Sequence, residues 1–201
     1  GRPAFPYVFP WPNTPETILN PNGIDRIPTD IDGIDPEGFV KLDNNTFIIT
    51  EEYGPSIIYN NYTPRNSDIR NKRIYLLPQR RNNRGLEAVT LSEDNKYLWT
   101  CLQSPPIESS LNVPFIIYDI EDRKVIKEIN YRLEEDTRDG KICAMCRLDK
   151  EHVVILEQSD TTNAKLFKFN VNDKTKKLFA SMDKILPQIA KDITNKNEKT
   201  T

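Results

Sequence analysis

From residue 37 onward, short runs of β-branched and aromatic residues alternate with clusters of turn formers. The runs are Thr46–Thr50, Ser56–Tyr59, Lys96–Thr100, Phe115–Tyr118, His152–Leu156 and Lys165–Phe169. Asp43-Asn44-Asn45 and Glu93-Asp94-Asn95 lie between them. Branching at Cβ suits a pleated, half-buried surface, and Asn and Asp tolerate turn conformations. The pattern therefore predicts many short strands and an all-β domain.

The runs recur in register. One unit reads EGFVKLDNNTFIITEE from Glu37, followed by SIIYN. A second reads EAVTLSEDNKYLWTCLQ from Glu87, followed by FIIYDIEDRKVIKEI, and a third reads CAMCRLDKEHVVILEQ from Cys143, followed by KLFKFNVNDKTKKL. Each unit predicts strand, turn, strand, loop, strand, turn, strand, which makes one four-stranded sheet and one blade of a β-propeller. A two-sheet sandwich with accidental similarity is the alternative. Ungapped register across three units favours the propeller-like fold. Propellers close with about four to eight blades, so three to four blades here are expected to belong to a larger, five- to seven-bladed ring.

Residues 1–36 break the pattern. They hold eight of the fifteen prolines, together with Phe5, Tyr7, Phe9 and Trp11. Proline fixes φ and removes a donor, so an extended segment packing on the propeller is expected. Residues 37–180 form the repeats. Residues 181–201 read as a weak helix, carrying Met182, Ile185, Leu186, Ile189 and Ile193, and a polar tail.

Composition narrows the function. The chain has 201 residues, 28 Lys and Arg against 30 Asp and Glu, and 37% hydrophobic residues. That suits one globular domain with extensions. A net charge of −2 gives no global basic excess, so nucleic acid is not an expected partner. No apolar run reaches the roughly 18–20 residues of a membrane-spanning helix. The start at Gly1, without Met or a leader pattern, reads as a processed form or fragment. Three cysteines, an odd number, fit a reducing compartment slightly better than an oxidising one.

Acids fall at equivalent places in the units. Glu37 and Glu87 open the first two, and Cys143 opens the third. Glu51, Glu52 and Glu157 end second strands. Equivalent blade positions share a circle about the axis, so Glu37, Glu51, Glu87 and Glu157 are expected to converge at one end of the channel. Asp35, in Asp35-Pro36-Glu37-Gly38, can join them. Close carboxylates raise one another's pKa unless a cation lies among them, and all-oxygen ligands suit Ca2+ or Mg2+. The plainer alternative is strand-end acids that are solvated or paired with Arg84.

The elements DPEGF (35–39), TEEYGPSI (50–57), QRRNNRGLEAV (79–89), LWTCLQSP (98–105) and VVILEQSD (153–160) occur in the order seen in the phytase-like family, described as having esterase-like activity of phytase. The chain resembles that family over about residues 35–170. The resemblance implies a propeller-like fold, hydrolysis of a phosphate or other ester, and site residues Asp35, Glu37, Glu51, Glu52, Glu87 and Glu157. It also suggests an extracellular or periplasmic protein. Glu51 stands where the family usually has Asp, and Gln158 where it usually has Arg. The family domain is longer, with strands before the D-P-E-G element.

The expected chemistry follows from these residue types. Asp35, Glu37, Glu51, Glu87 and Glu157 would hold Ca2+ (or Mg2+), and Glu52 or Glu87 would act as general base toward water. Arg84, Arg81 and Gln103 would bind a small, phosphorylated anionic ester. Arg65, Arg70, Lys72, Arg73, Arg80, Arg81 and Arg84 face only Asp68 in that stretch, and guanidinium forks suit phosphate. An exposed basic loop without a ligand is the alternative. So is a non-catalytic propeller with a structural cation. His152 is the only histidine and opens an apolar strand, where a packed or edge role is expected. Cys143 and Cys146 are expected to be small core residues on opposite faces of a strand.

Overall fold

A computed structural model describes residues 35–52, 55–61, 73–75, 84–106, 110–134, 140–159 and 164–181. The expected N-terminal extension, the weak helix, Arg81 and most of the basic stretch before it lie outside these residues. Ser181, assigned above to the tail, is the last residue of a strand.

Among the described residues, twelve strands make three four-stranded antiparallel sheets. The first holds β1 (Pro36–Lys41), β2 (Thr46–Glu51), β3 (Ser56–Asn61) and β4 (Arg73–Tyr75). The second holds β5 (Leu86–Leu91), β6 (Tyr97–Leu102), β7 (Asn112–Asp119) and β8 (Lys124–Arg132). The third holds β9 (Lys141–Arg147), β10 (His152–Gln158), β11 (Lys165–Asn170) and β12 (Lys176–Ser181). Each sheet is a meander whose strands neighbour one another in chain order. The first strands stand side by side, β1 against β5 and β5 against β9. There is no helix among the described residues, and the three sheets do not close a ring among them.

Aspartate builds the first turn of every sheet. Asp43 Oδ1 accepts the N–H groups of Asn45 and Thr46 at 2.7 and 2.8 Å. Asp149 Oδ1 does the same for Glu151 and His152 at 2.9 and 2.8 Å. Asp94 Oδ1 takes the Ser92 hydroxyl at 2.7 Å and the Lys96 N–H at 3.1 Å. These are turns in which a short carboxylate replaces a backbone acceptor. His152 completes the third one. Its Nδ1 meets both Asp149 oxygens at 2.8 and 2.9 Å, and its Nε2 lies 3.2 Å from Asn170 Nδ2.

Burial tells which sheet lies in the middle. β6 and β7 are buried along nearly their whole length, whereas β10 alternates strictly. A strand covered on both faces is apolar throughout, while one with an open face alternates. Phe115, Tyr131 and Phe169 join the second sheet to the third. Phe169 lies 5.6 Å from Phe115 and meets Tyr131 edge-on at 5.0 Å. Each such ring contributes about 1.5–3 kcal/mol by burial. On the other side, Tyr59 donates to the Ile120 carbonyl at 3.3 Å, and Arg123 lies 5.1 Å above the Tyr59 ring.

The cysteine expectation needs correction. Cys143 is half-buried and Cys146 is exposed, so neither is a core residue. Cys146 pairs with Val154 and Ala144 with Leu156 on the outer face of the third sheet. Ala144 and Cys146 are exposed there. Expecting a core cysteine assumes that both faces of the sheet are covered.

Candidate functional site: an acid cluster flanked by two cations

A β-bulge marks the start of each sheet. Pairing of β1 with β2 skips Glu37, passing from Pro36 to Gly38. Pairing of β5 with β6 skips Glu87, passing from Leu86 to Ala88. Pairing of β9 with β10 skips Cys143, since Glu157 pairs with Ile142 and Leu156 with Ala144. A bulged residue leaves the ladder, and its side chain is re-aimed out of the normal alternation. Glu37, Glu87 and Cys143 thus occupy the same structural position in three sheets.

Two glycines bring the first two of these positions together. A Cβ on Gly38 would lie 2.5 Å from the Glu87 carbonyl oxygen and 2.3 Å from Thr50 Oγ1. A Cβ on Gly85 would lie 2.1 Å from the Glu52 carbonyl oxygen and 2.3 Å from its Cα. Only glycine permits backbones this close. Glu52 is tied to the first sheet through its N–H, which donates to the Asp35 carbonyl at 2.9 Å.

Asp35, Glu37 and Glu52 each present a carboxylate oxygen within 4.8 Å of the others. Glu52 is buried and Glu37 exposed. Glu87 stands beside this cluster. Burial first, and then the charges of Glu37 and Glu52, push its carboxyl up to about 7, against opposing effects of Lys141 and Arg84. Its Oε2 is buried and has no hydrogen-bond partner among the described residues. Slight desolvation at this largely exposed residue, followed by the charge of Asp35, also raises Glu37. Mutual repulsion of this kind is relieved by a cation, and the hard oxygen donors fit Ca2+ or Mg2+.

Glu51 and Glu157 are held within the protein by named partners. Glu51 is fully buried. It accepts the Ser56 hydroxyl at 3.0 Å and the Asp35 N–H at 3.2 Å, which fixes the approach of Asp35 to the cluster. Glu157 accepts hydrogen bonds from the Tyr131 hydroxyl and from Lys176, with which it forms an ion pair, and from the Glu134 N–H at 3.1 Å. The Lys176 ammonium also lies 4.1 Å from the Phe167 ring centroid and 4.7 Å from that of Tyr131. Burial lowers the Lys176 pKa against the pull of Glu157. Glu157 is thus a link between the second and third sheets and lies outside the group Asp35, Glu37 and Glu52.

Arg84 Nη1 donates to Gln103 Oε1 at 2.8 Å, which orients the guanidinium. Lys141 is absent from the expectations above, yet its charge acts on both Glu87 and Cys143, as does that of Arg84. One signal could have found it. Lys141 precedes its bulged residue by two positions, as Asp35 precedes Glu37.

No curated protein matches the sequence. A Bacteroides thetaiotaomicron structural-genomics protein of unknown function is similar at 13% identity, with a TM-score of 0.48, 72% of this chain covered and 31% of the other. The periplasmic gluconolactonase of Pseudomonas aeruginosa is similar at 12% identity, with a TM-score of 0.47, 74% of this chain covered and 40% of the other. The chain therefore spans less than half the length of either structure. The family model for phytase-like proteins, described as esterase-like activity of phytase, matches residues 14–197, and the chain belongs to that family.

Proposed function

We propose that this chain forms part of a metal-dependent hydrolase of phosphate or other esters, its three sheets being consecutive blades of a larger β-propeller. The observation that carries this reading is the group Asp35, Glu37 and Glu52 beside a Glu87 carboxyl raised to about 7. Asp35, Glu37 and Glu52 would hold the cation, with Ca2+ the first candidate. A bound divalent cation would supply Lewis-acid polarisation of the ester oxygen and a more acidic water.

The chain's own residues do the rest. Glu87, beside the cation ligands, takes the proton of the attacking water. Glu51 holds Asp35 in place through its N–H. Arg84, fixed by Gln103, binds the anionic part of the substrate. The side-by-side first strands and the equivalent bulges support the blade assignment. Residence outside the cytoplasm is part of the proposal and rests on the family alone.

A second reading is a non-catalytic propeller module with a structural cation. It is favoured by Glu51 and Glu157, whose carboxylates are already engaged within the protein. Calcium titration with thermal melting, together with hydrolysis assays on phosphomonoesters, phosphodiesters and carboxyl esters, separates the two. A calcium-induced rise in melting temperature with turnover is expected, and Glu87→Gln abolishes turnover. A rise without turnover on any ester class selects the second reading. No rise removes the metal from both.

A further inference from the structure

Consecutive sheets meet through one repeated contact. The residue after each bulged position is small: Gly38, Ala88 and Ala144. The next one is larger and faces the other way: Phe39, Val89 and Met145. At the first junction the two kinds interlock, since a Cβ on Gly38 would lie 2.7 Å from Val89 Cγ1. The second junction is built alike. There β9 lies against β5, Met145 packs on the core, and the Arg147 N–H donates to Thr90 Oγ1 at 3.3 Å. Each sheet thus offers a small seat on one face and a larger knob on the other.

The two ends of the row leave one of each open. Phe39, the knob of the first sheet, is 64% exposed and stacks on Phe47 at 5.4 Å. The opening is confined to β1 and β2, since Ile58, which ends the Phe39 row, is buried. Ala144, the seat of the third sheet, is exposed, as is Cys146 on the same face. The Ala144 row continues through Leu156, Leu166 and Ala180, all apolar and only half-buried. The corresponding row of the second sheet is Ala88, Cys101, Phe115 and Ile129. It is at most 2% exposed, with Phe169 of the third sheet lying against Phe115. The third sheet therefore carries the same kind of face without its cover.

We infer that a second copy of this chain docks head to tail, its first sheet on the third sheet of the other copy, with Phe39 meeting Ala144 as Val89 meets Gly38. The contact continues the two internal junctions in the same sense, and a projecting ring meets a row of small and aliphatic side chains. It is heterologous, so it forms a ring if the rotation closes and a filament if it does not. Two copies supply six sheets, within the about four to eight that complete a propeller. The inference rests on the blade assignment and is independent of the hydrolytic chemistry. Closure would also bring Cys143 of one copy toward the acid group of the other, just as Cys143 already lies within the field of Glu87.

The test is sedimentation equilibrium of the full chain from micromolar to millimolar concentration. A species of twice the 23.3 kDa chain mass is expected. Phe39→Lys and Ala144→Glu should each weaken association about tenfold or more, the effect of losing one buried apolar contact or burying a charge at the junction. Both positions are exposed in the single chain, so circular-dichroism spectra of the dilute variants should match wild type. An equimolar mixture of the two variants should regain the double mass, because it holds one native junction and one that pairs Lys with Glu. A mixture that stays monomeric overturns the head-to-tail contact. Wild type that is monomeric throughout overturns the inference, as when another blade or another part of this chain occupies the face. A dimer insensitive to both substitutions overturns it too. A series of larger species that both substitutions abolish upholds the docking and overturns closure at two copies. Calcium-dependent melting with ester turnover by a monomeric wild type would remove the docking and leave the hydrolase reading standing.

Discussion

Replacing Glu87 with glutamine should stabilise the metal-free protein at alkaline pH and leave it unchanged in acid. The folded carboxyl is raised from 4.5 to about 7, so the folded state binds this proton more tightly than the unfolded chain. The associated stability is fully present below pH 4.5 and is lost as pH rises through about 7. At about 1.36 kcal/mol per pH unit, the full shift corresponds to about 3 kcal/mol. The group is only half-buried, and solvent screening reduces this to about 1–2 kcal/mol. Glutamine mimics the protonated acid, so Glu87→Gln and wild type should match near pH 4.5. Above pH 8 the variant should melt higher by roughly 2–8 °C, taking about 2–4 °C per kcal/mol for a domain of this size. Circular-dichroism melts in a chelator at both pH values measure this. A variant that melts lower than wild type at pH 8, or by the same margin at both pH values, would refute the crowding of Glu37, Glu52 and Glu87.

Three further substitutions probe the frame around the site. Gly85→Ala should cost about 1–3 kcal/mol, because its Cβ meets the rigid Glu52 backbone. It should also shrink the calcium-induced melting shift, and a wild-type urea midpoint would contradict the close approach. Glu157→Leu should destabilise by about 1–3 kcal/mol, since it removes the acceptor of the Tyr131 hydroxyl and the carboxylate partner of a half-buried Lys176 ammonium that keeps the Arg132 carbonyl. In a cycle with Lys176→Met the coupling should be about 1–3 kcal/mol, and additive single effects would show that the pair does not act as a unit. His152→Gln should lower stability by about 1 kcal/mol through its lost turn contacts and leave ester turnover within about twofold. A large loss of turnover would give the histidine a chemical role that its bonds to Asp149 and Asn170 do not suggest.

The strands are legible in the sequence because β-branched and aromatic runs have few other uses in a chain with so many turn formers. Their sheet partners follow from the repeated order, and β2, β3, β6, β7, β10 and β11 contain the six predicted runs except for Lys96, which precedes β6. The bulges are not legible. Alternation shows which residues share a face but not where an extra residue enters one strand only. Glu51 and Glu157 keep equivalent ladder positions, opposite Pro36 and Ile142, yet their carboxylates have different partners. The partner that separates Glu157 from the others is Lys176, a residue on another strand with no local signal linking the two. Lys141 is passed over for a different reason. A search for acids at equivalent positions does not register a cation where the first unit carries Asp35. Cys146 is misjudged because an apolar strand is read as covered on both sides.

Pairing that passes over Glu37, Glu87 and Cys143 has a consequence for how such a protein varies. A residue in an ordinary strand position is chosen by its neighbours, since it must fit the pleat, the opposite strand and the face it lies on. These three answer to none of those demands. Their identity can change without disturbing the hydrogen-bonded lattice, as the occurrence of two glutamates and one thiol at the same position already illustrates. The framework and the reactive groups it presents are therefore free to evolve on separate schedules, one fixed by packing and the other open to selection for a new ligand.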